Sequence, residues 1–214
     1  MDGSARLRGS AAGANVAAKT GVIGLADVTV VLCRTDGEDR ARSHALLRDS
    51  VAHALDIAPE LVILDRDTAG RPVVSGPGPL HVSLSHTVGA AAVAFSRKAP
   101  VGVDIEPVHE VRAVDMARRW FTPDEADWIA ELCEEQRSAA FLRLWTYKEA
   151  IGKARGRGLS GGGLRQPVPR HVDADGVPRQ VAEAWVAALS APTGFVLSVA
   201  CLSERSMTVR LTEL

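Results

Sequence analysis

Leu80-His-Val-Ser-Leu-Ser85, Ala90-Ala-Ala-Val-Ala-Phe-Ser96 and Val101-Gly-Val-Asp-Ile-Glu106 follow one another closely in the chain. The links between them are of hairpin length, so they read as consecutive strands. Helical periodicity flanks them. Upstream, Ala41, Ala45, Leu46, Val51, Ala52 and Leu55 recur at helical spacing and predict a helix over Glu38 to Leu55. Downstream, Asp115 to Trp120 is a short helix and Glu135 to Ala154 a long one. Between them Thr122-Pro-Asp-Glu125 has the residues of a helix start: Thr at the N-cap, Pro first, Glu three residues after the Thr. Further strands are expected at Val28 to Cys33, Leu61 to Asp65, Val181 to Leu189, Phe195 to Leu202 and Thr208 to Leu211. Thr68 to Pro72 reads as a turn, Ser75 to Pro79 as a rigid loop and Gly156 to Gly163 as a glycine-rich loop. Strands and helices are mixed without regular βαβ alternation, so the fold class is α+β. Two halves, 27–100 and 101–214, each hold a long helix and about three strands, without a residue-level repeat. Residues 1–26 are rich in Ala, Gly and Ser, lack the pattern of a secretory signal and read as a mobile tail.

Composition narrows the function classes. The 214 residues carry 25 Lys+Arg against 26 Asp+Glu, with 46% hydrophobic residues, which excludes a disordered chain and argues against a general nucleic-acid binder. An anionic ligand must therefore be held by a local cluster of cations. Cys33, Cys133 and Cys201 are far apart and odd in number, which fits buried thiols in a reducing cytoplasm and neither a zinc site nor a disulfide framework. No apolar run approaches the roughly 20 residues that span a bilayer. Arg is the default cation: Lys occurs only at 19, 98, 148 and 153, and two of the four lie five residues apart.

Three segments carry chemistry. In the strand ending at Glu106, side chains alternate faces, so Val101, Val103 and Ile105 share the core face while Gly102, Asp104 and Glu106 share the other. Two rises along a strand put the two carboxylates about 7 Å apart at their Cα atoms. Both can reach one hard divalent cation such as Mg²⁺, and Gly102 would leave room for a ligand beside it. The bland reading is a solvated strand face. In the long helix, Trp145, Glu149 and Lys153 stand at i, i+4 and i+8 on one stripe. A Glu-to-Lys pair at that spacing is also an ordinary helix-stabilising pair. Here it leads into the basic glycine loop Ala154-Arg-Gly-Arg-Gly158, which can approach a phosphate. Ser85-His-Thr87 offers hydroxyls and an imidazole at a strand end. No nucleophile elbow surrounds this pair, so phosphate or ribose binding suits it better than hydrolysis. The bland reading is a hydrogen-bonded turn.

In chain order the segments are Gly70-Arg-Pro72, Ser85-His-Thr87, Gly102-Val-Asp-Ile-Glu106, Phe121-Thr-Pro-Asp-Glu125 and Trp145-Thr-Tyr-Lys-Glu-Ala-Ile-Gly-Lys153. This order and spacing resemble the 4′-phosphopantetheinyl transferase superfamily, specifically its Sfp-like, large monomeric type. The resemblance covers roughly residues 40–160, and more loosely the strand near Gly194 to Ala200. It implies two pseudo-symmetric α+β lobes with coenzyme A in the cleft between them. It implies a monomeric cytoplasmic enzyme that moves the phosphopantetheine arm of coenzyme A onto a serine of an apo acyl, polyketide or peptidyl carrier protein. Adenosine 3′,5′-bisphosphate is the other product.

The resemblance also assigns roles. Asp104, Glu106 and Glu149 would hold Mg²⁺ against the pyrophosphate, which would supply the cation that the carboxylate strand lacks. Glu149 would be the base for the carrier serine, and Lys153 would donate to the transferring phosphate. His86, with Ser85 and Thr87, would contact the 3′-phosphate side of coenzyme A. Arg71 would face the adenosine end, and Lys148 would be an accessory phosphate contact. One departure stands out. Large members carry a basic stretch between the first strand and first helix, whereas here the strand runs almost directly into the helix. Arg40, Arg42, His44 and Arg48 are the cations on offer for the 3′-phosphate, with Arg42 and His44 taken as the candidates. Two other readings fit some of these residues: a Mg²⁺-dependent phosphohydrolase, and a non-catalytic module that binds coenzyme A or a carrier protein. Neither has a use for the complete set.

Overall fold

Period-two burial organises the molecule, for which the computed structural model describes residues 27–37, 40–68, 70–76, 78–160, 162–171 and 173–214. The segment 1–26, read above as a tail, lies outside the described residues. The elements run β1 (Val28–Arg34), α1 (Arg40–Leu55), β2 (Ile63–Arg66), β3 (Pro72–Ser75), β4 (His81–Thr87), β5 (Ala90–Ser96) and β6 (Val101–Pro107). They continue with α2 (Ala113–Trp120), α3 (Pro123–Glu131), α4 (Glu134–Arg155), β7 (Arg179–Val181), β8 (Ala184–Leu189), β9 (Phe195–Leu202) and β10 (Val209–Glu213). The α+β class holds.

Two four-stranded sheets form the centre, ordered β10-β1-β5-β4 and β6-β9-β8-β7, with β2 and β3 as a separate hairpin. Each sheet is buried on both faces. Ala90, Ala92 and Ala94 of β5 pack with Val103, Ile105, Leu197 and Val199, so the sheets face each other through one apolar layer. The alternate residues Ala91 and Val93 pack under Leu47 and Val51 of α1. On the far side Ala184, Val186 and Ala188 of β8 pack with Phe141, Leu144 and Ile151 of α4. The order of layers is therefore α1, sheet, sheet, then α2 to α4. The C-terminal strand β10 returns to pair in parallel with β1, so the first sheet draws strands from both sides of residue 100.

The helix start at Thr122 is a complete capping box: Glu125 N–H donates to Thr122 Oγ1 at 3.3 Å, and Thr122 N–H donates to the Glu125 carboxylate at 3.0 Å. Three expectations are corrected. The run 181–189 is not one strand, because Ala182 takes a left-handed φ of 51° and turns the chain between β7 and β8. Residues 72–75, of which Pro72 was read as turn and Ser75 as rigid loop, are β3, paired antiparallel to β2. The strand expected to end at Ser85 runs on through His86 and Thr87, the last rungs of β4, opposite Ala91 and Ala90, so the bland reading of a turn there falls.

Gly102 also has another purpose than leaving space for a ligand. A Cβ there would lie 2.0 Å from the Ala150 carbonyl oxygen and 2.6 Å from Ala154 N. The missing side chain lets α4 lie directly on β6, which is how Glu149 and Lys153 come to stand over Asp104. Gly102→Ala should therefore force helix and strand apart, at a cost of about 1–3 kcal/mol or more. Urea unfolding of the variant checks this, and an unchanged midpoint would show that the helix shifts freely.

Candidate active site

The site forms where the edge strand β4 of one sheet meets the edge strand β6 of the other. An edge strand has unpaired backbone groups. Here serines cover them: Val103 N–H donates to Ser83 Oγ at 3.1 Å, and Ile105 N–H reaches Ser85 Oγ at 3.4 Å. Ser85 in turn donates to Asp104 Oδ1 at 2.9 Å. Strand alternation, which sends Ser83 and Ser85 to this seam, sends His86 to the opposite face of β4.

Lys153 closes the seam from α4. Its ammonium donates to Asp104 Oδ1 at 2.7 Å, to Ser85 Oγ at 3.0 Å and to the Val103 carbonyl at 3.1 Å. Asp104 is buried, and its second oxygen, Oδ2, has no hydrogen-bond partner. Glu106 and Glu149 complete a group of like charges. Burial, then the Asp104 charge, push the Glu106 carboxyl up to about 7, against a smaller opposing pull from Lys153. The same two causes, burial first, hold Glu149 above the usual carboxylate range. Three carboxylates that repel one another, with one oxygen buried and unpartnered, are a donor set suited to a hard divalent cation.

A cavity of about 240 Å³ lies beside this group, with Lys153 in its wall. Its other charged walls are Arg40 and His44 of α1, Arg66 and Arg71 of the β2–β3 hairpin, and His86 of β4. Arg66 Nη2 donates to His44 Nε2 at 3.2 Å. Burial, then Arg66, Arg40 and His86, hold the His44 imidazole below its ordinary value. Arg71 is fixed by Asp67, which accepts from its Nε at 2.7 Å and from its backbone N–H at 2.9 Å. Gly156 is the left-handed cap of α4, and a Cβ there would lie 2.1 Å from Arg71 Nη1, so the absent side chain seats Arg71 against the helix end. Converging cations with no carboxylate in the cavity wall among the described residues make a site for an anion such as a phosphate.

The structure thus brings Arg71, His86, His44, Asp104 and Lys153 together around one cavity and its rim. Glu106 and Glu149 stand with Asp104 beside it, and the remaining candidates do not line it. Arg42 is exposed on α1 and lines no part of this cavity, nor does Thr87. Arg48 donates to the carbonyls of Pro59 and Val62 and fixes the loop after α1. Ser85 lines no part of the cavity: its hydroxyl is buried at the seam, where it bonds with Asp104, Lys153 and Ile105. Lys148 does not line this cavity either. Its side chain is 0% exposed, and its ammonium donates to both Glu125 oxygens at 2.9 Å and to the Gln166 carbonyl at 2.6 Å. Sequence reasoning missed Arg66. The signal was there: two β-type runs flank the Thr68–Gly70 turn, and their pairing sets Arg66 opposite Pro72, next to Arg71.

The protein-family comparison points the same way. Residues 100–189 match the model of the 4′-phosphopantetheinyl transferase superfamily. The matched stretch contains Asp104, Glu106, Glu149 and Lys153, and the resemblance read from the motifs is borne out. Among curated proteins the chain is similar to the 4′-phosphopantetheinyl transferase psf-1 of Bacillus pumilus, at 34% identity over 55% of this chain and 49% of the relative. It is similar to the 4′-phosphopantetheinyl transferase HetI of Nostoc sp., at 30% identity over 54% of this chain and 50% of the relative. It also resembles the 4′-phosphopantetheinyl transferase Sfp of Bacillus subtilis, at 29% identity over 42% of this chain and 40% of the relative. The chain spans about half the length of the curated relatives it matches. Among the described residues, no helix is long and apolar enough to cross a membrane.

Proposed function

We propose that this protein transfers the 4′-phosphopantetheine arm of coenzyme A to a serine of an apo carrier protein, acyl, polyketide or peptidyl, in a Mg²⁺-dependent reaction. The observation that carries the reading is the position of Lys153. One ammonium lines the cation-walled cavity and is also bonded to the buried carboxylate of the acidic group. A ligand with a phosphate in the cavity therefore has its next phosphates at Asp104, Glu106 and Glu149. Coenzyme A has this layout, with a 3′-phosphate at one end of the nucleotide and a pyrophosphate at the other.

The roles of the residues follow. Arg40, Arg66, His44 and His86 hold the 3′-phosphate, and Arg71, fixed by Asp67, faces the adenosine. Asp104, Glu106 and Glu149 are the side chains that would hold Mg²⁺, and the unpartnered Asp104 Oδ2 is the oxygen that most needs it. When bound, the ion supplies charge neutralisation on the pyrophosphate. Glu149, its pKa raised by burial, takes the proton from the carrier serine hydroxyl, directly or through water. The serine oxygen then bonds to the phosphorus that bears the pantetheine arm. The bond from that phosphorus to the bridging oxygen breaks, and adenosine 3′,5′-bisphosphate leaves with the electron pair. Lys153 donates to the transferring phosphate and offsets the charge on the leaving group.

The test is direct. The protein is mixed with coenzyme A, Mg²⁺ and each of several apo carrier proteins, and the intact mass of the carrier is read. Gain of one phosphopantetheine group is expected, and no gain with any carrier would overturn the reading.

A pH effect belongs to the same site. His44 is held below its ordinary value by burial and neighbouring cations, and its Nε2 accepts from Arg66. A bound phosphate opposes those cations and stabilises imidazolium, so the His44 pKa should rise on binding and a proton should be taken up. Affinity should accordingly weaken as pH rises through the interval between the free and bound His44 values. Histidine NMR with and without adenosine 3′,5′-bisphosphate measures both values. A His44 signal that titrates identically in both states would remove it from the phosphate site.

A further inference from the structure

Lys153 stands in two places at once. It lines the cavity where a phosphate is expected, yet its shortest bond is to Asp104 Oδ1. Oδ1 accepts from both Lys153 and Ser85, while Oδ2 of the same carboxylate, on a residue only 3% exposed, accepts from nothing. Among the described residues, no three carboxylate, imidazole or thiol side chains are gathered closely enough to hold a metal ion as they stand. The donors are the right kind for a hard cation, but they are not assembled.

We propose that Lys153 is a built-in counter-ion which holds Asp104 in the free protein and yields it to a divalent cation only when a phosphate ligand draws the ammonium into the cavity. This rests on the reading of the site given above. Two cations at one carboxylate repel each other, so a metal arriving alone must compete with an ammonium already bonded to Asp104 and to two further acceptors. A phosphate offers that ammonium a stronger acceptor a short distance away, and the side chain of Lys153 is long and jointed enough to follow it. Asp104 is then free to turn both oxygens to the metal. Metal and phosphate ligand therefore bind cooperatively, and the coupling is reciprocal: each raises affinity for the other by the same factor.

Mn²⁺ serves as the probe, because the electron paramagnetic resonance of the free ion reports how much is bound. In the unaltered protein Mn²⁺ alone should bind weakly, and coenzyme A should raise its affinity by a factor within about 5–150, the usual range of such couplings. Lys153→Met should bind Mn²⁺ alone at least about fivefold more tightly than the unaltered protein, by the same range. Loss of charge alone would also tighten binding, so a second measurement tests the movement. The chain has four lysines, and ¹³C at lysine Cε gives four signals of which Lys153 is identified by its absence in the variant. Coenzyme A without metal should move the Lys153 signal, and Mg²⁺ alone should leave it in place. Equal Mn²⁺ affinities in the two proteins, or a Lys153 signal unmoved by coenzyme A that calorimetry shows to be bound, would overturn the proposal. Failure of the transferase reading looks different. No carrier would then gain mass, whether or not coenzyme A binds, while equal Mn²⁺ affinities in the two proteins would still overturn the role of Lys153 as the counter-ion of Asp104.

Discussion

Glu149→Gln should lower carrier modification by about 10²–10⁴-fold, the usual contribution of a positioned general base, while coenzyme A still binds. The substitution keeps the shape of the side chain and one acceptor oxygen, and removes the ability to take a proton. The surroundings of this carboxylate suit the proposed base. Burial and the charge of Asp104 both raise its proton affinity, and Lys153 only partly offsets them. The same substitution removes one charge from the metal-binding set, so transfer should be measured in single turnovers at saturating Mg²⁺. Coenzyme A affinity is measured by calorimetry without metal, where the cavity cations alone act. Near-normal turnover would take Glu149 out of both roles. Loss of coenzyme A binding in the absence of metal would show instead that Glu149 shapes the cavity.

The features read correctly from the sequence are those written in local periodicity. The alternation of β4, β5 and β6, the apolar stripe of α1 and the capping box at Thr122 lie within windows short enough for spacing to decide. The stripe of Trp145, Glu149 and Lys153 belongs with them, because helical geometry fixes it. The features missed depend on partners distant in the chain. Gly102 looked like space for a ligand because nothing nearby in sequence says that α4 lies on it. Ser85 looked like a ligand contact because the unpaired N–H group it covers belongs to β6. The β2–β3 pairing was missed, although a strand was expected at Leu61 to Asp65, because β3 is short and half exposed, and Arg66, one residue past the expected strand, was missed with it.

Lys148 is the sharpest of these cases, because the local signal was present and was outweighed by the rarity of lysine. Phe141, Leu144, Lys148 and Ile151 fall at i, i+3, i+7 and i+10, a core stripe of α4, and the three apolar members are each at most 2% exposed. A lysine on such a stripe must find a buried acceptor. Here that acceptor is Glu125, whose carboxylate also accepts from Val168 N–H at 2.9 Å and caps its own helix through Thr122 N–H. Burial still outweighs the attraction of Glu125 and holds the Lys148 pKa below the usual lysine range. The pair ties α3, α4 and the segment around Gln166 to one another, and α4 carries Glu149 and Lys153. Lys148→Met should therefore destabilise the protein by about 3–5 kcal/mol, the cost of leaving a buried charge without its partner. Lys148→Met combined with Glu125→Gln should recover part of that loss, because no unpaired charge remains, while the amide keeps an acceptor for only one of the two backbone N–H groups, Val168 at Oε1 and Thr122 at Oε2. Urea unfolding of both variants measures the two figures. A Lys148→Met protein of unchanged stability that binds coenzyme A more weakly would restore Lys148 to the phosphate site and dissolve the structural assignment.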